Sequence, residues 1–145
     1  MSKSLLSVNN IEVVYNHVIL ALKGVTLDVG EGKVVSLLGA NGAGKTTTLK
    51  ACSSLLHAER GEITKGSITY EGNSINDVDP YQLVKSGVVQ VLEGRHCFSH
   101  LTVEENIMTG SFIKDNPKQA KEDLVRVYEH FPRIKIRRKS QAGFT

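Results

Sequence analysis

Gly39-Ala40-Asn41-Gly42-Ala43-Gly44-Lys45-Thr46 decides how this chain is read. The run matches G-x-x-x-x-G-K-[ST], the pattern of a phosphate-binding loop. Each fixed residue type answers a chemical need. Gly39, Gly42 and Gly44 let the backbone turn tightly and bring its N–H groups against phosphate oxygens. Lys45 places a positive charge within reach of β- and γ-phosphates, and the Thr46 hydroxyl is a ligand for the Mg²⁺ that bridges them. An ordinary glycine turn between a strand and a helix shares the same letters, so the flanks matter. Before the loop, Lys33-Val34-Val35-Ser36-Leu37-Leu38 is a short apolar, β-branched run that predicts a buried strand. After it, residues 46–56 predict a helix with Leu49, Cys52, Leu55 and Leu56 on one face. The N-terminus of that helix would aim its unpaired N–H groups at the phosphates.

The rest of the chain sets limits. Its 145 residues suit about one domain. No apolar run reaches the ~18 residues that span a bilayer, and Met1-Ser2-Lys3-Ser4-Leu5-Leu6 is too short and polar for a signal peptide. A cytoplasmic address is expected. Cys52 and Cys97 are far apart and each is expected to pack as a small apolar group, with no disulfide and no metal site. The net charge is +3, with Arg133, Lys135, Arg137, Arg138 and Lys139 close together and no acid after Glu129. This run reads as a basic patch for nucleic acid or acidic lipid headgroups, or as a solvated surface beside a buried strip of Ile134 and Ile136. The second reading is preferred and no nucleic-acid partner is expected, because no aromatic residues interleave with the charges.

Along the chain, residues 5–14 and 24–29 predict strands, the latter with Val25, Leu27 and Val29 alternating with Thr26 and Asp28. Gly66 to Tyr70 predicts another, closed by the turn Glu71-Gly72-Asn73, and residues 87–92 a short buried one. Asp79-Pro80 marks a helix start. Thr102-Val103-Glu104-Glu105 is a capping box opening a helix that ends near Gly110. Pro117 begins an amphipathic helix to about His130, with Leu124, Val127, Tyr128 and Phe131 on one side. Residues 1–95 thus read as a strand-rich α/β core and 96–145 as a helical subdomain.

Three further segments resemble the ATP-binding subunit of ABC transporters. Ile11-Glu12-Val13-Val14-Tyr15 ends in an aromatic and precedes Ala21-Leu22-Lys23-Gly24-Val25-Thr26-Leu27. Glu93-Gly94-Arg95 is similar to the family's glutamine loop, with Glu93 in the glutamine's place. Leu101-Thr102-Val103-Glu104-Glu105-Asn106-Ile107 is similar to the helix that follows it. Glu-Gly-Arg in that loop and the ending Arg137-Arg138-Lys139-Ser140-Gln141-Ala142-Gly143-Phe144-Thr145 resemble the second ATPase of branched-chain amino acid importers (LivF-type), although Leu92 stands where a proline is common.

The resemblance implies a P-loop NTPase core of the ABC ATPase kind. Residues 1–95 would form an antiparallel β subdomain with the phosphate-loop core, and 96–145 the start of the helical subdomain of an incomplete domain. Tyr15, otherwise a strand tyrosine with a half-buried ring, would stack on adenine. Gly39, Ala40, Asn41, Gly42, Ala43, Gly44, Lys45, Thr46 and Thr47 would hold the nucleotide, with the phosphates on residues 41–47. Thr46 would ligate Mg²⁺, and Glu93 would lie near the metal and the attacking water. Lys45 and Glu93 would be the catalytic groups. ATP and Mg²⁺ are the implied cofactors. Transmembrane permease subunits and a second ATPase subunit, in a homo- or heterodimer, are the implied partners on the inner face of the membrane.

The implied function is coupling ATP binding and hydrolysis to uptake of branched-chain amino acids, with urea or short amides as the other solute class. A non-hydrolysing nucleotide-binding module and a nucleic-acid-associated P-loop protein are rival classes. Thr145 coincides with the first residue of the family's signature segment. No aliphatic run followed by Asp-Glu occurs in the chain, and His100 comes too early to be the family's switch histidine. The chain is therefore expected to bind ATP weakly, to lack family-like hydrolysis and to expose apolar sheet surface.

Overall fold

The computed structural model describes residues 4–94, 96–113 and 116–144. They form two compact units, Met1–Val91 and Leu92–Thr145.

The first unit is built on a long antiparallel hairpin. Strand β1 (Ser4–Tyr15) pairs with β2 (Ile19–Gly30) and, on its other edge, with β3 (Gly61–Tyr70); a two-residue β4 (Asn73–Ser74) completes the order β2-β1-β3-β4. The strands predicted over 5–14, 24–29 and 66–70 are present, and β1 and β2 run longer than the apolar pattern alone suggests. Val8 sits between Leu27 and Ile68, and Val13 between Leu22 and Ile63. These rows turn one apolar face inward, where Val8, Ile11, Val13 and Ile68 are fully buried. Helix α1 (Lys45–Cys52) and helix α2 (Pro80–Ser86) contribute Ala51, Cys52 and Leu83 to the same core. β1 bulges at Asn9–Asn10, where Asn10 has φ 48° and both pairings slip. Gly66 faces that bulge on β3. A Cβ there would lie 2.4 Å from the Asn9 carbonyl oxygen, so only glycine lets the two backbones approach.

Two predicted strands are absent. Residues 33–40 and 88–92 have no regular structure, and Val34, Leu38 and Val91 are 96%, 89% and 90% exposed. A strand's N–H and C=O groups need a neighbour, and no described segment pairs with either run. Their composition suits a sheet, but composition supplies no partner. The helix after the loop is also shorter than predicted. α1 stops at Cys52, Leu49 faces outward, and Leu56 is buried beyond a break at Ser53-Ser54, where Ser54 takes φ 57°. Ser53 and Ser54 are buried; the Ser53 hydroxyl donates back to the Leu49 carbonyl at 3.0 Å, which competes with continuing the helix, while the Ser54 hydroxyl donates forward to the Ile75 carbonyl.

The second unit is helical. Helix α3 (Val103–Thr109) opens on the predicted capping box: the Thr102 hydroxyl accepts from the Glu105 N–H at 3.2 Å, and Glu105 accepts from the Thr102 N–H at 2.8 Å. Helix α4 (Pro117–His130) starts at Asn116, whose side chain accepts from the N–H groups of Lys118 and Gln119. Ala120 and Tyr128 are its buried residues, whereas Phe131 lies exposed beyond its end. A short helix, α5 (Pro132–Ile136), follows. The chain then runs back antiparallel beside the start of α3. Val103 N–H donates to the Ser140 carbonyl and Ala142 N–H to that of Leu101, with a bridge between Thr102 and Gln141. Ile136 is 83% exposed, so it does not form the buried strip expected with Ile134, which is half-buried. α5 is too short to bury two positions two residues apart, because they point to different faces. Cys97 is exposed rather than packed, while Cys52 is buried and its burial pushes the thiol up to about 11.

Candidate nucleotide-binding loop

The loop from Gly39 to Gly44 is a tight turn that feeds directly into α1. Ala43 N–H donates to the Ala40 carbonyl at 3.1 Å, which folds the turn. Gly42 and Gly44 take φ of 84° and 83°, a left-handed conformation that costs other residues strain. Gly44 has a second reason to be glycine: a Cβ there would lie 2.3 Å from Leu22 Cδ2 on β2. The loop therefore rests on the sheet through Leu22, a buried core residue. That seat was not legible in the sequence, where Leu22 reads as one more apolar strand position.

Helix α1 begins at Lys45, and its first backbone bond runs from Thr48 N–H to the Gly44 carbonyl at 2.8 Å. The N–H groups of Lys45, Thr46 and Thr47 precede that bond and have no intrahelical acceptor. They give the loop a row of donors at the positive end of the helix. Thr48 is buried, and its hydroxyl also donates to the Gly44 carbonyl, at 2.9 Å. Thr46 is exposed, so its hydroxyl is available from solvent. The Lys45 ammonium turns back over the loop and donates to the carbonyls of Gly39 and Ala40 at 2.7 and 2.8 Å. Gly39, Ala40, Asn41, Gly42 and Ala43 are all exposed. A cradle of free N–H groups, one ammonium and an open hydroxyl matches the chemistry of a polyphosphate with its Mg²⁺.

Tyr15 ends β1 in the same unit and is half-buried. Its ring covers Gly61 on β3, where a Cβ would lie 2.6 Å from Tyr15 Cε1. The adjoining turn is closed by Val18 N–H to the Tyr15 carbonyl at 3.1 Å and Asn16 N–H to that of Arg60 at 2.9 Å. Gln90 is half-buried and accepts a hydrogen bond from the Ser53 hydroxyl at the end of α1. No sequence signal announces that link. Glu93 belongs to the second unit and is exposed; its backbone carbonyl accepts from His96 Nε2 at 2.6 Å. Arg95 lies outside the described residues. Among the described residues, no group of His, Cys, Asp and Glu is arranged to hold a metal ion, and no helix is long and apolar enough to cross a membrane.

The ABC transporter family model matches residues 22–143, most of the chain. The chain belongs to the ABC transporter family. A high-affinity branched-chain amino acid transport ATP-binding protein, BraG of Pseudomonas aeruginosa, is 38% identical over 140 residues, covering 96% of this chain and 57% of the relative. A spermidine/putrescine import ATP-binding protein, PotA of Clostridium novyi, is 34% identical over 118 residues, covering 81% of this chain and 31% of the relative. The crystal structure of a nucleotide-free ATP-binding cassette from an ABC transporter superposes with a TM-score of 0.78 at 23% identity, covering 99% of this chain and 59% of that one. The fold is thus that of an ABC ATPase cassette, a P-loop NTPase, and the chain spans a little over half the length of BraG.

Proposed function

We propose that the chain is the nucleotide-holding part of an ATP-binding subunit of an ABC importer, and that it couples ATP binding and hydrolysis to solute uptake when the remaining elements of such a subunit are present. The geometry of the loop carries this reading: two left-handed glycines, a helix that starts at Lys45, and a lysine ammonium poised over the turn. Residues 41–47 hold the phosphates, Thr46 ligates Mg²⁺, and Lys45 offsets charge at the β- and γ-phosphates. Mg²⁺, when bound there, would supply positive charge against the phosphate oxygens. Tyr15 offers the free part of its ring to adenine. Glu93 acts near the metal and the attacking water. The partners are transmembrane permease subunits and a second ATPase subunit, on the inner face of the membrane. Residues 1–95 supply the β subdomain and loop core, and 96–145 the start of the helical subdomain.

Branched-chain amino acids are the solute class we favour. The likeness to BraG spans 96% of the chain at 38% identity, against 81% at 34% for the polyamine import protein. Neither share of identity touches the solute directly, because the loop serves any importer.

Titration of the purified chain with a fluorescent ATP analogue and Mg²⁺ tests the site. Binding is expected, weakened about tenfold or more by Lys45→Ala, on the order of one charge-assisted hydrogen bond to phosphate. Tyr15→Ala should weaken it through loss of stacking worth about 1–3 kcal/mol. Unchanged binding in Lys45→Ala overturns the assignment of the loop. The 145 residues alone are expected to turn ATP over slowly if at all; Mg²⁺-dependent turnover that Lys45→Ala abolishes would sink that expectation.

A further inference from the structure

The basic segment at 132–139 is not used by the nucleotide site. Arg133, Lys135, Arg137 and Lys139 are exposed and have no ion-pair partner among the described residues. Arg138 differs: its Nε lies 3.9 Å from Glu104, whose carboxylate also accepts from the Tyr128 hydroxyl at 2.5 Å. Two apolar features sit among the free cations. Ile136 projects 83% exposed between Lys135 and Arg137. Val103, Ile134, Arg133 and Arg137 line a groove of about 270 Å³.

We propose that residues 132–139 dock on an anionic phospholipid surface, with Arg133 and Arg137 at headgroup phosphates and Ile136 in the boundary between headgroups and acyl chains. Charge complementarity selects the occupant. Four unpaired cations draw the segment to negative lipid, and one aliphatic side chain finds an apolar medium at the depth such contacts reach. Nucleic acid is disfavoured because no aromatic ring interleaves with the cations of residues 132–139; the exposed ring of Phe131 precedes the first cation. A protein partner needs a matched shape, whereas a bilayer asks only for negative charge and a place for Ile136. The inference stands independently of the nucleotide reading.

Co-sedimentation of the full chain with phosphatidylcholine vesicles, with and without phosphatidylglycerol, tests it. Binding is expected only with phosphatidylglycerol, and it should fall as salt rises. Arg133→Ala with Arg137→Ala should weaken it about thirtyfold, at about fivefold per basic residue near the surface. The charge-preserving pair Arg133→Lys and Arg137→Lys should retain most of it. Ile136→Ser keeps every charge and should still weaken binding roughly fivefold. Circular dichroism of each variant separates loss of docking from loss of fold, and a misfolded variant is replaced by the lysine pair and Ile136→Leu, both expected to bind. Equal binding to neutral vesicles, no binding at all, or an Ile136→Ser variant that binds like the parent overturns the proposal. So does displacement from vesicles by duplex DNA at matched phosphate, which would assign the patch to nucleic acid.

Discussion

Two kinds of apolar, β-branched segment occur in the first unit, and they meet opposite fates. Residues of β1 such as Val8, Ile11 and Val13 are fully buried, with β2 on one edge and β3 on the other. Residues 33–38 and 88–92 have the same character, yet Val34, Leu38 and Val91 face solvent. The difference lies in the hydrogen-bonding edge. β1 has two neighbours that satisfy its backbone and turn its side chains to a common face, whereas the other runs have none among the described residues. Apolar composition states what a segment is able to bury; a paired neighbour decides whether it does.

Substitutions can break that contrast. Ile68→Ala, in a fully buried position, should destabilise the unit by about 2–5 kcal/mol in denaturant titration. A loss as small as that from a surface change would mean the sheet core is not the unit's centre of stability. Gly44→Ala comes next. It forces a left-handed alanine and a contact 2.3 Å from Leu22, so a loss of about 1–3 kcal/mol in thermal unfolding is expected, together with loss of nucleotide binding. Thr102→Ala removes the cap of α3 and should cost about 1 kcal/mol, read in the second unit alone by amide exchange.

The same cap has a pH signature. Hydrogen bonds from the Thr102 backbone and then its hydroxyl hold the Glu105 carboxyl below its ordinary 4.5. A carboxyl depressed by folding stabilises above the unfolded value, and that contribution disappears as pH falls through the folded value. Protection of α3 should therefore decline below about pH 4.5 and be flatter in Glu105→Gln. The smallest stability effect belongs to the unpaired run. Val34→Ser should move stability by less than about 0.5 kcal/mol while reducing self-association in sedimentation velocity, because exposed apolar surface is what would drive it.

Much of this was legible from the residues. Strands β1, β2 and β3, the caps at Asp79 and Thr102, the helix start at Pro117 and the glycine-lysine loop all follow from local rules that act within a few residues, whereas the Asn116 cap was not read from the sequence. Strands at 33–38 and 87–92 did not follow, because pairing is a relation between distant segments. The seat of Gly44 on Leu22 and the bond between Ser53 and Gln90 are likewise contacts across the sequence with no local mark. Ile136 was misplaced for a different reason: alternation promised a buried strip, but α5 turns too soon to keep two isoleucines on one side.

Lys45 already holds two acceptors of its own, the Gly39 and Ala40 carbonyl oxygens. The side chain is thus a latch that closes the turn on itself, and an incoming anion competes with the protein for it. Only a ligand that offers the ammonium more than two neutral carbonyls will draw it away, which favours dense charge, as in a di- or triphosphate, over a single phosphate group. Opening the latch also frees two carbonyls to water, so the loop's own mobility is coupled to occupancy. Lys45→Ala unfastens the turn as well as removing the charge, and amide exchange at Ala43 should quicken in that variant before any nucleotide is added.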